Sequence, residues 1–406
     1  MNKLNKPELL APAGNITMLR TAIKCGADAV YFGIDKLNLR ALARNFNLDN
    51  LSDVVAECRE SGVKAHLTVN SIVLENELKD IDAVIRGAKN AGVEMIICWD
   101  TAVIQKCQEY EMPFCISTQA SVSNSEAAAF YKSLGAKRIV LARECTLEMI
   151  KDIKAKVDIE IETFVHGAMC IAVSGRCFMS HHLFGRSANK GECLQPCRRE
   201  YTITDNEEEN KSMVLGADYV LSPKDLCMIE FIDELIEAGI DSFKIEGRKR
   251  SPEYILKVVS AYRHVIDSYY DGTLTPEAKK EYLEELEKVY NRGFSAGFYF
   301  DVPGAEEYAQ IYGSRASTEK VFIGRVLNYY KKSKIAYIKV EAEELKTGDS
   351  IYIMGETTGA VQVELNSFFK DETPADKAVK GDKITFGCNE LVRERDHIYK
   401  IIERKK

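Results

Sequence analysis

Residues 62–98 read GVKAHLTVNSIVLENELKDIDAVIRGAKNAGVEMIIC. After the leading glycine comes a short β-rich run, KAHLTVN, then the segment Glu75–Ala91, whose apolar positions recur at three and four residues. A second glycine, Gly92, stands just before the next β-rich run, EMIICW. A three-and-four repeat is the apolar stripe of a helix. Glycine at its end supplies the left-handed cap that lets the chain turn into a strand. The stretch is therefore a strand–helix–strand unit.

Outward from this unit the same alternation runs from Glu8 to about Arg248. The strand candidates are ELLAPA, ADAVYFG, KAHLTVN, EMIICW, PFCISTQ, KRIVLA, EIETFVHG, ADYVLSP and DSFKIEG. Helices stop at Cys25-Gly26, Ser61-Gly62, Ala91-Gly92, Leu134-Gly135 and Ala238-Gly239. About eight such units predict an α/β fold, a TIM-like (β/α) barrel. An open doubly wound sheet is the competing architecture, but no GxGxxG phosphate loop follows the first strand. In a barrel, chemistry sits at the C-terminal strand ends. The polar residues expected there are Asn70, Asp100, Gln119, Arg143, His166, Asp225, Lys244, Glu246 and Arg248. Helix capping and mutual pairing are the ordinary alternatives for each of them. His166, Asp225 and Glu246 are the candidate catalytic groups, His166 because a histidine ending a barrel strand can shuttle protons at neutral pH.

The alternation breaks at 167–218, a cysteine-rich insertion that also holds an acidic turn between YTI and MVL, read as a hairpin tip. Trailing helices, Pro252–Tyr270 and Pro276–Tyr290, start on prolines, and the second stops at Asn291-Arg292-Gly293. From about 315 short strands and Gly-Asp turns take over. The predicted organisation is a barrel with insertion and trailing helices over 1–312, and a small all-β barrel over 313–406.

Composition narrows the function. Of 406 residues, 46% are hydrophobic and 29% charged, which excludes disorder, collagen and coiled coil. A net charge of −7 argues against a DNA-coating role, while leaving room for RNA on a local basic face. From Arg315 onward 18 Lys+Arg oppose 15 Asp+Glu, a mild asymmetry that a solvated surface explains equally well. No apolar run reaches signal-peptide or membrane-spanning length, so a cytoplasmic protein is expected, with no membrane partner. Twelve cysteines in a reducing compartment then point to ligation or catalysis rather than disulfides. Six are scattered before residue 150 and read as buried fillers, whereas Cys170, Cys177, Cys193 and Cys197 crowd into 28 positions as C-x6-C-x15-C-x3-C. Structural zinc prefers tight knuckles, and only Cys193–Cys197 comes near one. An iron–sulfur cluster tolerates wider gaps and is favoured over zinc, with Cys227 a substitute ligand that the spacing leaves open. Arg176, Arg186, Lys190, Arg198 and Arg199 surround the insertion and offer cations to a cluster, an anionic substrate or an RNA phosphate.

The run ETFVHGAMCIAVSGRCFMS, from Glu162 to Ser180, resembles the defining motif of the collagenase-like peptidase family. ELLAPAGN, STQAS, SPKDL and FKIEGRKRSP resemble the family's other conserved stretches, so the likeness spans nearly the whole chain. The resemblance implies cluster-containing hydroxylation proteins. These act on the tRNA wobble uridine to give 5-hydroxyuridine, on a ribosomal RNA cytidine, or on the ubiquinone ring, in association with prephenate. It places a 4Fe-4S cluster on Cys170, Cys177, Cys193 and Cys197. Length and the single β-domain are most similar to the tRNA branch, implying the anticodon stem-loop and a second family member as partners. For a dicarboxylate co-substrate the cations would be Arg143, Lys244 and Arg248, with Asn70 and Gln119 as hydrogen-bonding groups. Arg176, with Arg198 and Arg199, would face the RNA. The family's peptidase label is the rival reading, although neither HExxH nor GxSxG occurs. A cluster-bearing scaffold subunit is a third.

Overall fold

In ELLAPAGN the first helix starts where the sequence offers a cap: Asn15 accepts a hydrogen bond from the Met18 amide, and α1 runs Ile16–Lys24 behind strand β1, Glu8–Pro12. The computed structural model describes residues 5–39, 46–207, 212–215, 221–309 and 313–404. Strands β2 (Ala29–Gly33), β3 (Lys64–Val69), β4 (Met95–Cys98), β5 (Phe114–Ile116), β6 (Arg138–Val140) and β7 (Glu160–Ala168) follow. They alternate with α2 (Leu51–Glu60), α3 (Leu78–Ala91), α4 (Thr101–Glu109), α5 (Ser125–Ser133) and α6 (Leu147–Lys156). The residues read as the apolar stripe of α3 are those it buries, Ile81, Val84, Ile85 and Ala88. All five glycines read as helix stops adopt positive φ, from +71° to +93°.

After β7 the chain makes its excursion. It contains the short helix α7 (Met179–Phe184), an antiparallel hairpin of β8 (Tyr201–Thr204) and β9 (Ser212–Leu215), and β10 (Asp225–Cys227). Helix α8 (Ile232–Glu237) then leads to β11, Ser242–Ile245, which pairs in parallel with both β7 and β1. That double pairing closes an eight-stranded parallel barrel, β1 to β7 plus β11. The fold class expected from the alternation is the one observed.

Two strand expectations resolve differently. ADYVLSP falls partly outside the described residues, and its end makes only a bridge from Pro223 to Tyr308. Strand β10 lies off the barrel, antiparallel to Gly167 and its neighbours, because the nine-residue β7 overruns the rim and leaves a free edge there. The hairpin joins the segments expected, although the middle of its tip, 208–211, lies outside the described residues.

Helix α9 (Pro252–Asp271) starts at its proline as expected. Helix α10 (Pro276–Glu287) stops short of the expected Tyr290, since the Asn291 side chain takes the Glu287 and Val289 carbonyls that further turns would have used. Among the described residues no helix is long and apolar enough to cross a membrane.

The C-terminal part is an eight-stranded antiparallel sheet built on the long strand Thr318–Tyr330, with its own core of Ile323, Ile338, Ile353, Ile384 and Ile398. It docks on α1 and α9. Thr21 Oγ1 accepts from the Ala360 amide at 2.9 Å, Lys24 donates to the Thr358 carbonyl at 2.6 Å, and Lys320 pairs with Glu253 at 2.7 Å. Tyr352 and Met354 pack with Leu256 across the same contact.

Candidate functional site

Side chains alternate along a strand, so every second residue of a barrel strand faces the axis. Thr68 of β3, Phe164 of β7 and Lys244 of β11 all reach one cavity of about 440 Å³ at the C-terminal mouth. Asn70, Gln119, Arg143, Glu246 and Arg248 line it too, and so do Cys170, Cys177, Cys193 and Cys197. Ten of the thirteen residues selected from sequence thus share a single space. No described residue of 313–404 lines it.

The floor is polar and held in place. Asn70 donates to Ser117 at 3.2 Å and to Gln119 at 3.4 Å, while its own oxygen accepts from the Leu39 amide. The Arg143 guanidinium lies 4.0 Å over the Phe164 ring and donates to the Ala168 carbonyl at 2.6 Å. Arg248 donates to Thr68 at 2.8 Å, and its charge lies over Tyr31, whose hydroxyl binds the Ile245 carbonyl. Lys244 also sits over Tyr31, at 4.5 Å, and pairs with Glu162 at 2.6 Å.

Below Lys244 a ladder of charges continues down the barrel axis. Glu162 also pairs with Arg138 at 3.2 Å, Arg138 with Glu8 at 2.5 Å, and Glu8 with the half-exposed Lys64 at 2.8 Å. Burial by itself would raise the Glu8 carboxyl, but the Arg138 guanidinium outweighs it and holds the group at about 2. Glu162 is likewise held below the usual carboxylate range against its burial, by Lys244 and Arg138. His66 lies in the same interior, 1% exposed, and neither ring nitrogen has a hydrogen-bond partner among the described residues. Burial pushes it down to about 4, so it is neutral at pH 7.

Sequence reading found Lys244 but missed this ladder. The available signal was a charged residue inside each of several short strands: Glu8, Arg138, Glu162 and Lys244. It also missed Tyr31, Ser117, Glu144 and Arg250 as lining residues.

Three selected residues lie elsewhere. His166 is 2% exposed and is packed among Tyr254, Tyr262 and Phe294, with ring centroids 5.5–5.9 Å away. Burial, reinforced by the charge of Arg250, pushes it down to about 3. The ring does not line the cavity, so the structure does not place it at the site where it was expected to shuttle protons. Asp225 is on the off-barrel strand β10, fully buried, and pairs with Arg292 at 2.6 Å and Arg250 at 3.4 Å. Arg176 stands outside the cavity lining, donating to Ser121 and lying 5.8 Å over Trp99. Asp100, expected in the same ring, caps α4 by accepting from the Ala102 amide. Arg198 is anchored inward, donating to Ser222, Pro223 and Met169, and burial with the neighbouring Arg292 charge lowers it to about 10.

The four cysteines suit a thiolate-bound group. Burial raises the Cys197 thiol, Arg198 opposes that shift, and charge on Cys170, Cys193 or Cys177 adds to it, so the four sulfurs share one electrostatic neighbourhood. Backbone amides already point at two of them, Met179 N–H to Cys177 at 3.3 Å and Gln195 N–H to Cys193 at 3.4 Å. Among the described residues no three Cys, His, Asp or Glu side chains converge closely enough for a single metal ion. Cys227 faces the core on β10, 4.0 Å from the Tyr262 hydroxyl, and is pushed up to about 12 by burial. It does not line the cavity. The cysteines read as fillers are buried or half-buried, as expected.

Residues 14–309 match peptidase family U32. An uncharacterized protease of Methanocaldococcus jannaschii is 44% identical over 98% of both chains. A protein named collagenase from Porphyromonas gingivalis is 37% identical over 99% of both. The tRNA hydroxylation protein P1 of Bacillus subtilis is 40% identical over 86% of this chain and 84% of its own. The chain belongs to the U32, collagenase-like family.

Proposed function

We propose that this protein is an RNA-modifying enzyme that hydroxylates a pyrimidine. The target we favour is the wobble uridine in the tRNA anticodon stem-loop, giving 5-hydroxyuridine, with prephenate as co-substrate. What supports the reading is one observation: four cysteines and a cationic, amide-lined floor share a single cavity of about 440 Å³. That volume lies in the range of small-ligand sites. Cys170, Cys177, Cys193 and Cys197 would hold a 4Fe-4S cluster, which supplies one-electron chemistry when bound.

The remaining work falls to the chain's own side chains. Arg143, Lys244 and Arg248 present three positive charges to a dicarboxylate, and the ion pair with Glu162 holds the Lys244 side chain in place. The Asn70–Ser117–Gln119 network can orient a hydroxyl or a base edge. The Glu246 carboxylate reaches the same space and can accept a proton from a bound hydroxyl group.

A hydrolytic reading, which the collagenase name suggests, finds less support. No histidine is among the described residues lining the cavity, so neither a serine nor a cysteine there has the usual base.

The test is nucleoside mass spectrometry of tRNA and ribosomal RNA from a strain lacking the gene and any redundant family member. Complementation uses the wild type or Cys193→Ala. Loss of 5-hydroxyuridine derivatives, restored by wild type alone, is the expected result. Loss of a hydroxylated ribosomal cytidine would keep the chemistry and move the substrate. Unchanged pools would remove the RNA reading.

A further inference from the structure

The cavity is stratified: a polar floor, a band of cysteines, and above them a rim that is unexpectedly apolar and open. Val173 is 60% exposed and Phe178 75%, with Leu183, Phe184, Leu194 and Ile171 each exposed by more than a third. Ile171 and Leu194 also line the cavity, and Val173 and Phe178 each stand between two lining residues in the chain, so the patch adjoins the cavity. A monomer normally covers such a cluster, and one that adjoins a pocket marks something that comes to the pocket.

The accompanying charges indicate what comes. Between 171 and 200 five Lys and Arg face two Glu, on a chain whose net charge is −7. Three of those cations are already engaged: Lys190 with Glu77, Arg186 with Glu192, and Arg198 in its carbonyl anchors. The other two have no acidic partner among the described residues and lie on aromatic faces, Arg176 also donating to the Ser121 hydroxyl. Arg199 is 4.5 Å from the Phe184 ring centroid, and Arg176 is 5.8 Å from that of Trp99. Trp99 in turn donates from its indole to the Asn70 carbonyl, which ties this part of the rim to the floor. Phe178 and Phe184 bracket α7, about 9 Å apart along its axis.

Resting on the RNA reading above, we propose that this rim is a base-stacking collar for an unpaired RNA loop. Phe178 and Phe184 stack on bases flanking the target, Arg176 and Arg199 meet the adjoining phosphates, and the target base passes Ile171 and Leu194 into the cavity. Open aromatic faces interleaved with arginine are how single-stranded RNA is held, whereas paired RNA hides the faces that would stack. An enzyme acting on a base inside a cavity requires that base to be out of the stack.

The test measures binding of the purified full-length protein to two labelled, unmodified RNAs: a hairpin with an unpaired pyrimidine-rich loop, and a blunt duplex of the same stem. Wild type should prefer the hairpin. Phe178→Ala should weaken hairpin binding roughly 5- to 50-fold, Phe178→Trp should retain it, and duplex binding should not change. Arg199→Ala should lower the salt slope by about one. Phe178 is exposed, and iron content and melting temperature of each variant confirm that the fold is intact. The collar is overturned if wild type binds the hairpin and the Phe178→Ala and Phe184→Ala variants bind it equally well. It is also overturned if those variants keep their RNA affinity but lose a dimer or a complex with a second family member, which would make the rim a protein interface. A wild type that binds neither RNA would remove the collar together with the RNA reading beneath it.

Discussion

His66 is the least comfortable side chain in the barrel: buried among Glu8, Arg138, Glu162 and Lys244, with no hydrogen-bond partner for its ring among the described residues. Its folded value near 4, and that of His166 near 3, lie below the 6.5 of a free histidine. Glu8, at about 2, is depressed in the same sense from 4.5. For each group the unfolded chain takes up the proton first as pH falls, so stability is full above about 6.5 and is lost on acidification. We expect urea denaturation to show a few kcal/mol lost between pH 6.5 and about 4, from the histidines, with Glu8 extending the loss toward pH 2. His66→Leu should flatten the upper part of that slope and leave neutral stability unchanged or improved, since it removes orphaned ring nitrogens. An unchanged slope would dismiss His66 as a source. Lys244 was readable from sequence because it falls near the C-terminal end of a short strand, β11. Glu162 and Arg138 were not, because which strands meet across the axis depends on how the ring closes.

Two glycines join the elements that form the floor. A Cβ on Gly14, in ELLAPAGN, would stand 2.0 Å from the Arg248 carbonyl oxygen. At Gly167, with φ +108°, it would stand 2.4 Å from the Glu246 carbonyl oxygen. Gly167→Ala therefore combines left-handed strain with a backbone clash and should cost roughly 2–4 kcal/mol. It should also displace Glu246, so residual activity should fall further than the loss of folded protein accounts for. Chemical denaturation and specific activity per folded molecule check the two parts. Helix–glycine–strand punctuation made most barrel elements readable in advance. It failed on β10, whose DLC looks like any short buried strand, and whose antiparallel partner is an overrun of β7 that no local pattern announces. His166 and Asp225 both lie away from the cavity because β7 overruns the rim: His166 packs against Tyr262 of α9, and Asp225, which opens β10, pairs with Arg292.

The two parts of the chain meet at α1 and α9, and none of the residues named in that contact lines the cavity. Thr21 is fully buried there, donating to Thr17 and accepting from Ala360. Thr21→Val keeps the shape and leaves the Ala360 amide without its acceptor, at a cost of roughly 1–3 kcal/mol. Limited proteolysis should then release the C-terminal sheet faster, while the RNA affinity proposed above stays unchanged. Equal release rates would show that this hydrogen bond does not secure the junction. The composition shift near 315 marked this sheet in sequence, but its docking was invisible there. Lys24 and Thr358 are 334 residues apart, and neither belongs to a recognisable motif.

Closure of the ring between its first and eighth strands also has a consequence for synthesis. Ser242 and Glu8 meet across 234 residues, so the first strand emerges from the ribosome long before its neighbour on one side exists. At about 5–20 residues per second, that wait lasts roughly 10–50 s. Throughout it, one edge of an apolar nascent sheet is bare, and Glu8 lacks the guanidinium of Arg138 for much of the interval. The half-made protein should therefore be a strong client for holding chaperones until β11 emerges.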